Sequence, residues 1–368
     1  MKVCIITTVH PPFDERIFHK QAKTLVQAGY DVTLIAQHKK NEIVDGVKII
    51  ALPKPRNRLT RMLGLNWKAF QIALRQRADI YHFHDPELLP IGVLLKLKTK
   101  AKVIYDVHED VPKQILTKYW IPKLLRHPIA KIVNITEKSL TRFIDAVVVA
   151  TEGIAENFQK FKPVVIHNYP YLKMFSNFSL KEKKENIVVY VGGISRIRGA
   201  VEMVRALEHL NHINDLRLEL IGKFETPELE KDLQMLPGWK KVRFYGWLPL
   251  EKVYKFLKQA NIGLACLHPE PRYLVSLPVK LFEYMAAGIP VIASNFPLWK
   301  NIIEKNKCGL CVNPLDPKEI ARAIEYLLTH PEEARKMGEN GRRAVEKQYN
   351  WEMEAEKLLS LYEGLLNR

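Results

Sequence analysis

The stretch ENIVVYVGGISRIRGAVEMVRALEHL, residues 185–210, decides how the rest of the chain is read. It opens on a β-branched apolar run, Ile187–Val191, which has the composition of a buried strand. Gly192 and Gly193 follow, then a short basic loop, and helical spacing resumes after Gly199 over residues 201–210. A strand that turns through glycines into a helix is one βα unit, and similar units extend in both directions. Downstream, strands are expected at residues 217–221, 242–245, 262–265, 291–293 and 309–312. Upstream, they are expected at residues 2–7, 31–36, 47–52, 80–84, 102–106 and 146–150. The first helix is expected over residues 15–28, with Asp14 as its cap and Gly29 at its end. Such alternation predicts an α/β fold with parallel sheets covered by helices.

At 368 residues the chain exceeds what one core usually serves. The polar run Lys181-Glu182-Lys183-Lys184-Glu185-Asn186 reads as an exposed linker. It sets an N-terminal domain at residues 1–180, a second at 187–350, and a terminal helix at 351–368 with Leu358, Leu359, Leu361, Leu365 and Leu366 to bury. Two open α/β sheets leave a crevice between the carboxyl ends of their strands, where ligands bind.

The composition, 47% hydrophobic and 26% charged, excludes disordered and fibrous classes. No stretch reaches the length of apolar sequence that spans a bilayer. Val3-Cys4-Ile5-Ile6 follows Met1 with no charged leader, which predicts a cytoplasmic protein. Cys4 and Cys266 read as core thiols, and Cys308-x-x-Cys311 lacks the second pair a zinc site needs. Of the net charge of +17, residues 1–180 carry 28 − 15 = +13 and residues 181–368 carry 29 − 25 = +4. An anionic partner for the first half is therefore expected.

Two segments of the second half carry chemistry. In the first, Gly192 and Gly193 let backbone approach a ligand, a helix begins near Gly199, and Arg196 and Arg198 add permanent charge. This is a cradle for a diphosphate, although a strand-to-helix turn with two solvated arginines has the same pattern. The second segment, Ser276-Leu277-Pro278-Val279-Lys280-Leu281-Phe282-Glu283-Tyr284-Met285-Ala286-Ala287-Gly288, reads as a helix with Pro278 in its first turn and Ser276 as cap. Lys280 and Glu283, three apart, share a face: Lys280 for phosphates and Glu283 for ribose hydroxyls, or else an ordinary surface ion pair.

Together these segments resemble the donor-binding half of the GT-B glycosyltransferases of the "group one" type, glycosyltransferase family four. P-x-K-x-x-E-Y-x-x-A-G-x-P-V-I-A resembles that family's donor helix, and G-G-x-x-x-x-R-G resembles its phosphate loop, usually G-R-x-x-x-x-K-G. Tyr245-Gly246-Trp247 resembles the loop beside the nucleotide base, and Trp351 opens what looks like the family's crossover helix. The resemblance implies two Rossmann-like domains facing a cleft, with a terminal helix returning to the first. It implies sugar transfer from a nucleoside diphosphate sugar of uridine or guanosine type, with no cofactor, no metal and retention of configuration. Arg198 and Lys280 would neutralise the leaving diphosphate, with Gly192, Gly193 and Gly199 adding amides. The family's usual E-x7-E is incomplete: Val275 stands where its first Glu would be, leaving Glu270 or Arg272 as sugar contacts. That departure admits a silent subunit that binds a partner transferase. A nucleotide-sugar epimerase would need carboxylates where this chain has cations.

In the first half, His10-Pro11-Pro12-Phe13-Asp14-Glu15-Arg16 lies between the first strand and helix, where many family members carry a Gly-Gly pair. Arg16 is a candidate to reach the donor phosphate in its place. His82-Phe83-His84-Asp85 and Asp106-Val107-His108-Glu109-Asp110 each end a strand. Their spacing matches no helix-borne zinc pattern. By resemblance His108 contacts the transferred sugar, and His84 and Asp85 read as acceptor-site or supporting groups. Positive charge concentrates at residues 54–61 (Lys54, Arg56, Arg58, Arg61) and 113–131, the latter mixing Lys118, Lys123, Arg126 and Lys131 with Tyr119 and Trp120. Basic and aromatic residues so mixed suit an anionic membrane surface, as do solvated lysines on a core helix. Many relatives act on lipid-linked acceptors, so a peripheral place on the inner membrane face is expected. Nucleic acid is not, since no stacking platform appears.

Overall fold

In the computed structural model, residues 1–108, 110–117, 121–178 and 185–367 are described. They form two compact units: residues 1–168 with 351–368, and residues 169–350.

The second unit holds one sheet of six parallel strands: β9 (Ile187–Val191), β10 (Arg217–Ile221), β11 (Val242–Phe244), β12 (Ile262–Ala265), β13 (Val291–Ser294) and β14 (Gly309–Val312), in the order β11-β10-β9-β12-β13-β14. This is the doubly wound order of a dinucleotide-type fold, with the direction of winding reversing between β9 and β12. The first unit's sheet comprises β1 (Lys2–Ile6), β2 (Asp31–Gln37), β3 (Glu42–Val44), β4 (Val47–Leu52), β5 (Ile80–Phe83), β6 (Lys102–Val107), β7 (Ala146–Val149) and β8 (Val164–Val165). Its order is β3-β4-β2-β1-β5-β6-β7-β8, parallel except for the β3–β4 pair, and its reversal lies between β1 and β5. Central strands such as β1, β9 and β13 are buried on both faces, which is why they read as unbroken apolar runs. The strands missed in the sequence, β3 and β8, are only three and two residues long.

The first helix begins as expected: the Asp14 carboxylate accepts from the Arg16 and Ile17 amides. Its opening, Glu15–Ala22, is wound as a π-helix and continues as an α-helix over Lys23–Gln27. Gly29 follows at φ +87°.

The units divide between Asn168 and Tyr169, ahead of the expected boundary. Tyr169, Phe175 and Phe178 enter the second unit's core, and Arg342 donates to the Phe175 and Phe178 carbonyls at 3.2 and 2.8 Å. Aromatic burial there outweighs the looser packing a linker would have. Of the polar run, residues 181–184 lie outside the described residues.

The terminal helix Trp351–Leu366 belongs to the first unit. Trp351 is fully buried and its indole N–H donates to Thr24 Oγ1 at 2.9 Å. Glu354 on the same helix accepts from the His167 amide at 2.8 Å, and the His167 ring lies 3.4 Å from Glu354 and 3.1 Å from Glu152. Burial pulls the His167 pKa down, but the hydrogen bonds to Glu152 and Glu354 outweigh it and hold it above the usual value. A raised folded-state pKa favours folding fully below the ordinary histidine value, and this contribution fades as pH rises through the folded one. The stability difference between wild type and Glu354→Gln is therefore largest near pH 6 and narrows toward pH 9. Urea unfolding across that range checks it, and a gap that widens with pH refutes the assignment.

Candidate functional site

Each sheet carries the singled-out residues at its reversal point, on the loops that leave its two diverging strands. In the second unit these loops follow β9 and β12. Gly192 leaves β9 at φ +130°, and Arg196–Arg198 form one tight turn ended by Gly199 at φ +74°. A Cβ on Gly199 would fall 1.9 Å from the Cys266 carbonyl oxygen beyond β12, so this turn is locked against the neighbouring loop. Gly199→Ala therefore combines left-handed strain with a backbone clash, and a loss of at least about 2 kcal/mol is expected. An unchanged urea midpoint would count against that packing.

The helix Val279–Ala286 is buried almost throughout, and Lys280 and Glu283 are each only 8% exposed. They are thus not a solvated ion pair. Among the described residues the Lys280 ammonium has no hydrogen-bond partner, and it lies 3.7 Å over the Tyr190 ring. A Cβ on Gly192 would stand 3.0 Å from Lys280 Nζ and 3.6 Å from Arg198 Nη1; one on Gly193 would stand 3.1 Å from Arg198 Nη1. The two glycines therefore leave open the ground before two cations. Burial first, and then the Arg198 charge, depress the Lys280 pKa well below the ordinary value. Neither Arg198 nor Lys280 forms an ion pair among the described residues; the Glu283 charge offsets part of theirs at Lys280, and the two cations together make a candidate seat for an anion.

Tyr190 and Tyr273 were not legible as site residues. The Tyr190 hydroxyl donates to the Gly193 carbonyl at 2.7 Å, and both phenols contact the Arg198 guanidinium. A tyrosine two residues before the glycine pair looks in the sequence like any core residue of a strand.

Several expected residues are turned elsewhere. Arg196 pairs with Asp232 on the exposed helix Pro227–Gln234, the nearest carboxylate available to a solvated guanidinium. Ser276 does not cap the donor helix, whose cap position is Pro278; its carbonyl instead accepts the Trp299 indole N–H at 2.7 Å. Arg272 donates to the Tyr273 hydroxyl at 3.1 Å, and the Glu270 backbone accepts from Tyr273 and Leu274 as the short helix Pro271–Leu274 begins. Tyr245 is half exposed and packs on Phe256, and the Gly246 carbonyl accepts from the Gly222 amide at 2.8 Å.

The first unit brings four histidines together: His82 within β5, and His10, His84 and His108 just after β1, β5 and β6. His84 Nδ1 lies 2.6 Å from His108 Nε2, the His82 and His84 rings stack at 4.7 Å, and the His10 ring stands 5.2 Å from that of His108. Beneath them Asp106 is fully buried and bound by Arg16 at 3.0 to 3.3 Å and by Gln21 at 2.6 Å. Arg16 also donates to the Ile166 carbonyl at 2.7 Å and is 3% exposed. Arg16 is accordingly not a phosphate ligand: a guanidinium committed to a buried carboxylate cannot leave it without stranding that charge. Burial by itself would raise the Asp106 pKa, but the Arg16 charge leads a set of neighbours that hold it well below the usual carboxylate range.

Asp85 and His84 are likewise corrected from acceptor contacts to buried supports. The Asp85 carboxylate accepts from Thr7 Oγ1 at 3.0 Å, from the Thr8 amide at 2.6 Å and from the Val9 amide at 3.2 Å, fastening the loop after β1. His84 has its ring fully buried, while His108 keeps partial exposure. Ligand atoms of His82, His84 and Asp106 lie within 4.8 Å of one another, close enough to surround a metal ion. Arg16, however, already places a positive charge on the only carboxylate of that group, so a second cation would be repelled. Glu109, Lys118, Tyr119 and Trp120 lie outside the described residues.

Two family models tile the chain. The one described as "Glycosyl transferases group 1" matches residues 174–344, over the anion seat, and "Glycosyltransferase Family 4" matches residues 15–169. The chain belongs to the group 1 glycosyltransferases. Among group 1 relatives and kin, it is 24% identical to Bacillus subtilis spore coat protein SA, across 99% of each chain. It is 22% identical to the MMP alpha-(1->4)-mannosyltransferase of Mycolicibacterium hassiacum, covering 82% of this chain and 74% of that one. Its GT-B fold matches sucrose-phosphate synthase from Thermosynechococcus elongatus, with TM-score 0.79 at 22% identity over 100% and 99% of the two chains. It also matches Anabaena HepE in complex with UDP-glucose, with TM-score 0.74 at 13% identity over 99% and 100%.

Proposed function

We propose that this group 1 glycosyltransferase moves a sugar from a nucleoside diphosphate sugar, of uridine or guanosine type, to a glycan or lipid-linked acceptor in cell-surface polysaccharide or glycolipid synthesis. The observation that carries the reading is the buried Lys280 ammonium, without a partner, beside Arg198 and two open glycines. A diphosphate supplies the negative charge this seat lacks, and its charge grows as the sugar leaves. Glu283 is assigned to the ribose, Tyr245 and Gly246 to the base, and His108 to the transferred sugar. Retention of configuration is the family's usual outcome. Catalysis without a metal is supported by two side-chain cations at the seat and by the Arg16 charge on Asp106.

The test is a thermal-shift panel of uridine, guanosine, adenosine and thymidine diphosphate sugars on wild type and Lys280→Ala. Stabilisation by one of them that disappears in the variant supports the reading, and no response to any nucleotide refutes it. Val275, in place of the family's first Glu, favours a second reading: a subunit that binds the donor without transferring from it. Donor binding with no donor hydrolysis would point there.

Two helices of the first unit support a place on the cytoplasmic face of an anionic membrane. Residues 58–76 leave Leu59, Met62, Leu63 and Trp67 exposed beside Arg58 and Lys68. Lys123–Thr141 leaves Leu124, 91% exposed, with Leu125, Ile132 and Ile135 beside Lys123 and Lys131. Apolar anchors ringed by lysine and arginine suit the headgroup boundary. Sedimentation with phosphatidylglycerol vesicles, and its loss in Leu124→Glu combined with Trp67→Glu, checks this. Binding to RNA instead would refute it.

A further inference from the structure

We propose that His84 is a positioning residue that fixes the ring tautomer of His108 with its proton on Nδ1, so that His108 meets its ligand as a hydrogen-bond donor to an oxygen. That this oxygen belongs to a sugar rests on the transferase reading above; the tautomer does not.

His84 Nδ1 and His108 Nε2 lie 2.6 Å apart. Two nitrogens this close share one proton, since two N–H groups would collide and two lone pairs would repel. Neither ring carries a second proton at neutral pH. Burial, ahead of all other influences, pulls the pKa of His108 down to about 3 and that of His84 well below the ordinary value. Only two arrangements remain: His84 donates to His108, or the reverse.

The surroundings choose between them. If His108 donates, the single proton of neutral His84 must sit on Nε2, which is buried and has no hydrogen-bond partner among the described residues. An orphaned buried N–H costs about 1–3 kcal/mol. If His84 donates from Nδ1, the orphan is a lone pair, the milder deficit. Asp106 offers no escape. Its oxygens already accept from Arg16 and Gln21, and they lie 3.6 Å from His108 Nε2 and 3.7 Å from His84 Nδ1, beyond hydrogen-bond range.

His82 closes the set. Its Nδ1 stands 2.7 Å from the Tyr362 hydroxyl, and burial keeps that phenol protonated. Among the described residues the hydroxyl has no other acceptor for its proton, so Tyr362 donates, and the His82 proton falls on Nε2, facing Asp106 Oδ2 at 3.5 Å. His82 and His84 are stacked at 23° between planes, so no in-plane bond couples them. One arrangement thus leaves His84 Nε2 as a lone pair and turns the His82 N–H toward the Asp106 carboxylate. In it His108 carries Nδ1–H, able to bond an acceptor oxygen and unable to take a proton there as a base.

The experiment is long-range 1H–15N correlation on the full chain with 15N-labelled histidine at pH 7.5, the His108 signals being identified by their absence in His108→Gln. His108 is expected protonated at Nδ1 in wild type; protonation at Nε2 overturns the proposal. In His84→Asn the side-chain amide overlies Nδ1, so the Nδ1–H form should persist. In His84→Phe the His108 ring should revert to the Nε2–H form that free imidazole favours. Transfer by His84→Phe should fall about 10–100-fold in kcat with the donor KM little changed, and His84→Asn should recover most of it. Equal loss in both variants overturns the positioning role. Should His84→Phe not fold, the wild-type spectrum still decides. If wild type binds no nucleoside diphosphate sugar, the transferase reading fails while the spectrum still decides the tautomer.

Discussion

Lys280→Met lowers kcat/KM for sugar transfer by about 10²–10³-fold and abolishes the thermal shift given by the donor, while the empty protein is no less stable than wild type. The two halves of this expectation have one cause. In the empty protein the ammonium is buried without a hydrogen-bond partner, and the Arg198 charge opposes it further. The Tyr190 ring at 3.7 Å and the Glu283 charge offset only part of that cost, and a methionine of similar length fills the space without it. Under the proposed function, the same charge faces the diphosphate leaving group, where it is needed. Donor titration by calorimetry and urea unfolding of the unliganded variant check both halves. A variant that loses activity together with several kcal/mol of stability would mean that Lys280 is a structural residue.

Arg16→Met has the opposite signature: about 3–5 kcal/mol of stability is lost, and the donor thermal shift of whatever remains folded is kept. The guanidinium is 3% exposed, holds both oxygens of a fully buried carboxylate, and bonds the Ile166 carbonyl. Removing it leaves Asp106 charged and buried, or forces it to take a proton. Because the Asp106 pKa is held well below the ordinary value, its contribution is complete at neutral pH and is lost as pH falls through the folded value. Wild type should therefore lose stability on acidification more steeply than Arg16→Met. Urea midpoints at pH 7 and pH 3, below the ordinary carboxylate value, measure the difference; parallel slopes would remove Asp106 from the account.

The fold could be read from the sequence because parallel strands buried on both faces are written as apolar runs. The bounds of β4, β9, β10, β12 and β14 agree with expectation to the residue. The structure also brings together Lys280, Arg198, Gly192 and Gly193, which the sequence singles out because glycines leave room before a cation. Direction was not legible. Arg16 and Arg196 look alike in a sequence; one is sealed under β6 by Asp106 and the other is drawn outward by Asp232. Asp85 looked like a site acid because its partners, the amides of Thr8 and Val9, are supplied by a loop some seventy-seven positions away. Tyr190 stayed hidden because the sequence does not say which strand residue underlies a helix ninety positions later.

The first unit is discontinuous in the chain, since Trp351–Leu366 completes a body that otherwise ends at Asn168. Three of its contacts are the Trp351 indole on Thr24, Glu354 on His167, and the Tyr362 phenol on His82. A ribosome therefore cannot finish this domain in order of synthesis. The half made first must wait until Trp351–Leu366 has been translated, and the second unit can close as an uninterrupted segment before it. A truncation that removes this helix would therefore strike the part of the chain that lies farthest from it in sequence, since it takes away the partners of Thr24, His82 and His167.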